Sequence, residues 1–160
     1  MHPLTRNALA TYKLIDIWVN AAGIAVSYGP TLGIDPQEFN QVIQTIIVGT
    51  YNGSRTTLAI MVAQGSGKLI NLLGMGYNGP TPWQSAYGSS KSWVRAFTLA
   101  LAGETRGSGV GVFAFQPGIL LTDLLANIRV IQGSEQRLKV FPTEVPILVQ
   151  PPEVPARKAV

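Results

Sequence analysis

Leu14-Ile15-Asp16-Ile17-Trp18-Val19, closed by Asn20-Ala21-Ala22-Gly23, is a short apolar run that ends in a turn. Its length, its aliphatic residues and the asparagine and glycine behind it read as a buried β-strand leading into a loop. The same pattern returns at Lys68 to Leu73 and at Val110 to Phe115. Between the first two runs, Asp35-Pro36-Gln37-Glu38 marks a helix start, with Asp35 as N-cap, Pro36 in the first turn and Glu38 at the capping-box position. Phe39, Val42, Ile43, Ile46, Ile47, Leu58, Met61 and Val62 follow at helical spacing, so one helix is expected from Pro36 to Gln64, mildly interrupted by Gly49 and Gly53. Gly65-Ser66-Gly67 ends it, and a second helix is expected from Ser85 to about Ala102. Strands that are continuously apolar belong in a parallel sheet. Right-handed crossovers laid down in one direction put both helices on one face. The expected fold is α/β: part of a doubly wound sheet, with three parallel strands, two main helices on one face and no helix from this segment for the other.

Composition narrows the functional classes. Of 160 residues, 46% are hydrophobic and 12% are charged, about half the usual charge of about 25%. A disordered charged tail is excluded. Without cysteine there is no disulfide framework or thiolate chemistry, and the single histidine, His2, leaves no histidine-based metal site or triad. The net charge of +4 is scattered, its tightest pair being Arg157-Lys158, so no nucleic-acid stripe is expected. No signal peptide is visible, and apolar stretches such as Val110 to Phe115 are too short to span a membrane. The default location is cytoplasmic, with organellar targeting left open.

Gly74-Met75-Gly76-Tyr77-Asn78-Gly79 has the spacing G-x-G-x-x-G after a strand. A dinucleotide fingerprint leads directly into a helix whose first amides hold the pyrophosphate. Here Pro80 and Pro82 intervene, and no acidic residue stands about 20 positions on for the ribose. The stretch reads as a loop above a strand end.

Tyr87 and Lys91 are four apart and share one face of the second helix. Alone they read as a core-edge tyrosine and a solvated lysine. Their companions change that: Asn20-Ala21-Ala22-Gly23 follows the first strand, and Pro117-Gly118-Ile119-Leu120-Leu121-Thr122 follows the third. All three motifs lie at or beyond the carboxyl ends of strands, where open α/β sheets bind ligands.

Together these residues resemble the short-chain dehydrogenase/reductase family over residues 14 to 125. Asn20 to Gly23 looks like its N-N-A-G turn with Ala21 in place of the second asparagine. Tyr87 and Lys91 match Y-x-x-x-K, and Pro117, Gly118 and Thr122 match the P-G segment. The resemblance implies a Rossmann-like sheet, NAD or NADP, and hydride transfer between a small-molecule carbonyl and its alcohol. It implies catalysis by Tyr87 and Lys91, the lysine lowering the phenol pKa, and a cofactor held by Asn20, Ala21, Ala22, Gly23, Tyr87, Lys91, Pro117, Gly118, Ile119 and Thr122. No metal is implied. The helices over 36–64 and 85–102 are those through which the family commonly forms homo-oligomers.

Departures accompany the likeness. The family serine stands thirteen residues before the tyrosine, where this chain has Gly74, and the helix asparagine aligns with Ile46. Leu73 to Pro82 and Tyr-Gly-Ser-Ser-Lys also look like the chlorophyll b reductase branch, which carries a glycine at the serine position. The family's phosphate-binding glycine turn belongs well upstream of Asn20, and only thirteen residues precede Leu14. Residues 1–160 therefore read as one incomplete NAD(P)-binding domain: an N-terminal remnant at 1–13, a core at 14–125, and a Pro-rich substrate-loop and late-helix remnant at 126–160. The prolines from Phe141 to Pro155 could form a polyproline ligand, but an extended loop remnant is preferred. Such a chain is expected to be inactive alone. The alternative is a non-catalytic interaction module, derived from the same family, that pairs with a partner chain.

Overall fold

Trp18, Leu69 and Val112 stand side by side in a three-stranded parallel sheet, and so do Asn20, Asn71 and Ala114. The strands are β1 (Ile17–Asn20), β2 (Gly67–Leu72) and β3 (Val110–Phe115), in spatial order β1-β2-β3. The computed structural model describes residues 3–120, 122, 124, 128–138 and 149–159. His2, Leu121 and the Pro-rich stretch from Phe141 to residue 148 lie outside the described residues.

The first strand begins at Ile17, later than its apolar run suggests. The Gln64 carboxamide accepts from the Ile15 N–H (3.2 Å) and donates to the Ile15 C=O (3.1 Å), so Ile15 is paired with a side chain before the ladder starts.

The run expected as one helix is helical throughout but not uniform. It comprises α1′s successor elements in chain order: after α1 (Pro3–Tyr12) come α2 (Pro36–Val42), a π-helical stretch at Ile43–Val48, and α3 (Gly49–Gln64). Asp35 caps α2, accepting from the Gln37 N–H at 2.7 Å. The Gly49 N–H reaches back to the Gln44 C=O, the wider spacing of a π turn. Gly65, at φ +72°, ends α3 in the left-handed conformation that glycine adopts freely. The Tyr87 helix, α4, spans Ser85–Glu104.

Both long helices cover the same face of the sheet, as the crossover rule requires. Val42, Ile46, Leu73, Ala86 and Val94 form one buried cluster, and Ile15, Leu58, Met61, Leu69, Leu101 and Val110 form a second. The opposite face is open. Ile17, Val19 and Phe113 are 38%, 46% and 49% exposed there, with Ile70 buried between them. β1, read as a buried strand, is covered on one side only, and its other side is the face that the two helices were expected to leave bare.

α1 is an addition where only a remnant was expected. Its Ala8 and Leu9 pack against the Ile15 cluster, and Thr5 is buried. Beyond β3, β4 (Ile119–Leu120) pairs in parallel with β5 (Val149–Gln150). The short α5 (Glu135–Leu138) follows β4 in sequence, and α6 (Glu153–Ala159) forms where a late helix was expected. Tyr28 and Val130 make a separate parallel bridge, which ties the segment after β4 to the loop after β1.

Candidate active site

Tyr87 and Lys91 lie one turn apart at the start of α4, with the Lys91 ammonium 5.7 Å from the centre of the Tyr87 ring. Lys91 is 4% exposed, and its Nζ donates to the carbonyl of Leu72, the last residue of β2, at 3.0 Å. The turn after β1 approaches from the other side: a Cβ on Gly23 would stand 3.9 Å from Lys91 Nζ. At Gly74 there is no room for a side chain, because a Cβ would collide with Tyr87 Oη. The phenol thus fills the space next to the backbone where the family carries serine.

These residues open onto a cavity of about 300 Å³. Its walls include Ala21 and Gly23 after β1, Tyr87 and Lys91 on α4, and Pro117, Gly118, Ile119 and Thr122 after β3. Gly118, at φ +85°, makes the turn that brings Ile119 into β4. Three segments far apart in sequence are thereby gathered at the carboxyl ends of the strands. Gln84, Leu73 and Met75 also line the cavity, and sequence reasoning had not singled them out as site residues.

Asn20 and Ala22 do not line the cavity among the described residues. The Asn20 carboxamide turns under the sheet instead, donating to Asn71 Oδ1 (2.8 Å) and Ser54 Oγ (3.1 Å) and accepting from Trp18 Nε1 (2.9 Å). Asn71, fully buried, donates to Thr98 Oγ1 at 3.0 Å, and Thr98 donates to the Val94 carbonyl at 2.6 Å. This network fastens β1 and β2 to α3 and α4. Gly53 is required beside it, since a Cβ there would collide with the Asn20 carboxamide oxygen. A polar residue inside the apolar run Lys68–Leu73 was the available clue.

Ile46, at the asparagine position, is fully buried in the cluster with Ala86 and Val94, so it contributes packing and no polar group. The glycines of the G-x-G-x-x-G stretch also have a packing use. Gly76, at φ +91°, lies against the Gly88 backbone, and Ser92 Oγ donates to the Gly76 carbonyl.

Burial sets the electrostatics. It raises the Tyr87 phenol above its ordinary pKa and pulls Lys91 down to about 8. The expectation that Lys91 lowers the phenol pKa is not met. Removing water penalises the charged form of both groups, and that is the cause of both shifts. No group of three or more His, Cys, Asp or Glu side chains able to hold a metal occurs among the described residues. No helix among them is long and apolar enough to cross a membrane.

The short chain dehydrogenase family profile matches residues 1–132. The chain is 36% identical over 127 residues to the probable chloroplastic chlorophyll(ide) b reductase of Oryza sativa subsp. japonica, spanning 78% of this chain and 24% of that protein. It is 32% identical over 141 residues to a probable NADP-dependent dehydrogenase of Haemophilus influenzae, spanning 86% and 56%. Among solved structures it resembles the 3-ketoacyl-(acyl-carrier-protein) reductase of Brucella melitensis complexed with NADH, with a TM-score of 0.81 and 25% identity over 97% of this chain and 62% of that one. The chain thus spans from 24% to 62% of the length of these three proteins.

Proposed function

The chain belongs to the short-chain dehydrogenase/reductase family, and on that premise we propose that its cavity reduces carbonyls and oxidises the corresponding alcohols with NAD or NADP. The observation that carries the reading is the meeting of Tyr87 and Lys91 with the turn after β1 and the Pro117–Thr122 segment around one cavity. Ala21, Gly23, Pro117, Gly118, Ile119 and Thr122 would hold the nicotinamide end of the dinucleotide. A volume of about 300 Å³, at the small end of ligand pockets, and the close backbone approach at Gly23 fit that end. When bound, the dinucleotide supplies or accepts the hydride at the carbonyl carbon.

In the reducing direction Tyr87 Oη gives its proton to the carbonyl oxygen. A phenol whose pKa is raised by burial stays protonated and ready to donate. Lys91 then stands beside the phenolate, and with a pKa of about 8 it can return a proton near neutral pH. The Leu72 carbonyl fixes its ammonium at the strand end. Oxidation runs the same transfers in reverse.

In this reading residues 1–160 form one Rossmann-like domain, with the catalytic core at 14–125. They assign no segment to the pyrophosphate and adenosine half of the cofactor, so the 160-residue chain by itself is expected to bind NAD(P) weakly and to turn over little. Titration calorimetry with NADPH and NADH tests this, and tight saturable binding would overturn it. The catalytic part is tested by following loss of reduced-nicotinamide absorbance with a panel of aldehydes and ketones, in this chain and in any longer chain that carries it.

A second reading is favoured by the exposed Ile17, Val19 and Phe113 together with the loss of the serine and asparagine positions: a non-catalytic module that pairs with a partner chain. Pairing through α2, α3 and α4, where Tyr51, Val62 and Leu99 are exposed, would give a homo-oligomer. Sedimentation measures it directly.

A further inference from the structure

Gln84 occupies the N-cap of α4, yet its side chain makes no capping hydrogen bond. Among the described residues its carboxamide makes no hydrogen bond at all, although Gln84 is only 4% exposed. It lines the cavity together with Gly74, Tyr87 and Lys91. With no hydrogen-bond partner among the described residues, the carboxamide is left to water in the cavity or to a ligand. N-cap positions favour Ser, Thr, Asp or Asn, whose short side chains reach the first helical amides. A glutamine here forgoes that contact.

The backbone around Gln84 is firmly held. Its N–H donates to the Thr81 carbonyl (3.2 Å), and its own carbonyl accepts from Gly88 (2.8 Å). Trp83, immediately before it, takes φ +69°, a left-handed conformation unusual for a bulky residue. The Trp83 carbonyl accepts from the Gly29 N–H at 2.9 Å, which locks that conformation to the loop after β1. Gln84, Tyr87 and Lys91 follow at i, i+3 and i+7, so they stand on one face of the helix start. Position 74 offers no side chain, and Tyr87 Oη fills the space beside it.

We propose that Gln84 is the second hydrogen-bond donor to the substrate oxygen, supplying from the start of α4 what no side chain at position 74 can. Its NH₂ meets the carbonyl oxygen that Tyr87 protonates, which polarises the carbonyl and orients it toward the phenol. The surrounding wall of Leu72, Leu73, Met75, Leu120 and Ile128 selects a carbonyl with an apolar body. The inference rests on the oxidoreductase reading, because it takes the ligand of this cavity to be a carbonyl compound.

The test uses the ¹⁵N-labelled chain and acetophenone as probe. The side-chain NH₂ pair of Gln84 is identified by its absence from Gln84→Leu. Titration is expected to shift that pair together with the backbone amides of Leu73 and Gly74. Gln84→Leu should weaken probe binding about fivefold, the worth of one hydrogen bond. Gln84→Glu should bind better at a pH where its carboxyl is protonated than where it is ionised, a dependence that a purely structural role would not produce. If Leu73 and Gly74 shift while the Gln84 pair does not, and Gln84→Leu binds as well as the parent, the proposal falls and the carbonyl site stands. If no cavity amide shifts up to the solubility limit of the probe, both fall. Should Gln84→Leu fail to fold, the shift of the NH₂ pair and the pH dependence of Gln84→Glu decide the matter.

Discussion

Asn71 and Gln84 are both buried carboxamides, one in the middle of β2 and one at the start of α4. Asn71 accepts from Asn20 and donates to Thr98, whereas the Gln84 carboxamide is bonded to nothing among the described residues. Below the sheet, Asn20, Ser54, Asn71 and Thr98 satisfy one another. At the cavity, Lys91 shares a single carbonyl, Tyr87 and Lys91 are both shifted toward neutrality, and Gln84 is left with its bonding capacity unused. A closed polar network holds elements together, and an open one is ready for a ligand. The same carboxamide group therefore does structural work in one region and is poised for chemistry in the other.

The largest effect expected is on turnover. Tyr87→Phe removes the proton donor and should slow carbonyl reduction at least about 100-fold wherever the parent turns over, with thermal unfolding and cofactor binding little changed. Activity that survives this change would remove the catalytic assignment. Next comes Asn71→Leu, which strips partners from Asn20 and Thr98 inside the core. A loss of about 2–4 kcal/mol in urea unfolding is expected, and a neutral result would mean that the network is not a fastening.

Lys91 gives an intermediate effect that depends on pH. Its folded pKa of about 8 lies below the unfolded value of about 10.4, so between those values the unfolded chain binds more protons. Stability should therefore rise with pH across that window, by about 2 kcal/mol from pH 8 to pH 10, and the rise should vanish in Lys91→Met. Tyr87, raised by burial, opposes it above about pH 10, where the unfolded phenol ionises first. A flat difference between parent and variant would show that Lys91 is not desolvated. Gln84→Leu gives the smallest change and the sharpest contrast with Asn71→Leu. Removing an unbonded amide should leave stability unchanged or raise it by up to about 1 kcal/mol. A loss comparable to that of Asn71→Leu would erase the distinction between the two regions.

Much of the frame was legible because it is written locally. Val110–Phe115 is found at the bounds its apolar run suggests, and α2 starts where Asp35 and Pro36 say it should. The cavity was legible as three motifs because strand ends in a parallel sheet all point one way. What escaped depends on distant partners. The delayed start of β1 needs Gln64, forty-nine residues away from Ile15. The Asn20 side chain turns under the sheet because Asn71 and Ser54 meet it there. The direction of the Tyr87 shift depends on how completely the fold excludes water, which no spacing of residues reports. Nor did α1 announce itself, since no acidic residue marks its first turn.

The π-helical stretch at Ile43–Val48 has a consequence for the phase of everything after it. Each residue advances an α-helix by about 100°, and a π turn holds one residue more than the regular winding would. Gly53 and Ser54 face Asn20 only because that extra residue is stored upstream. Removing one residue from the stretch would absorb the bulge and keep the phase, whereas regular winding at the present length would swing Ser54 about a quarter-turn away. It would also bring a bulkier neighbour round to the place where only Gly53 fits. The helix is in effect indexed, its wide turn setting which of its residues reach the sheet.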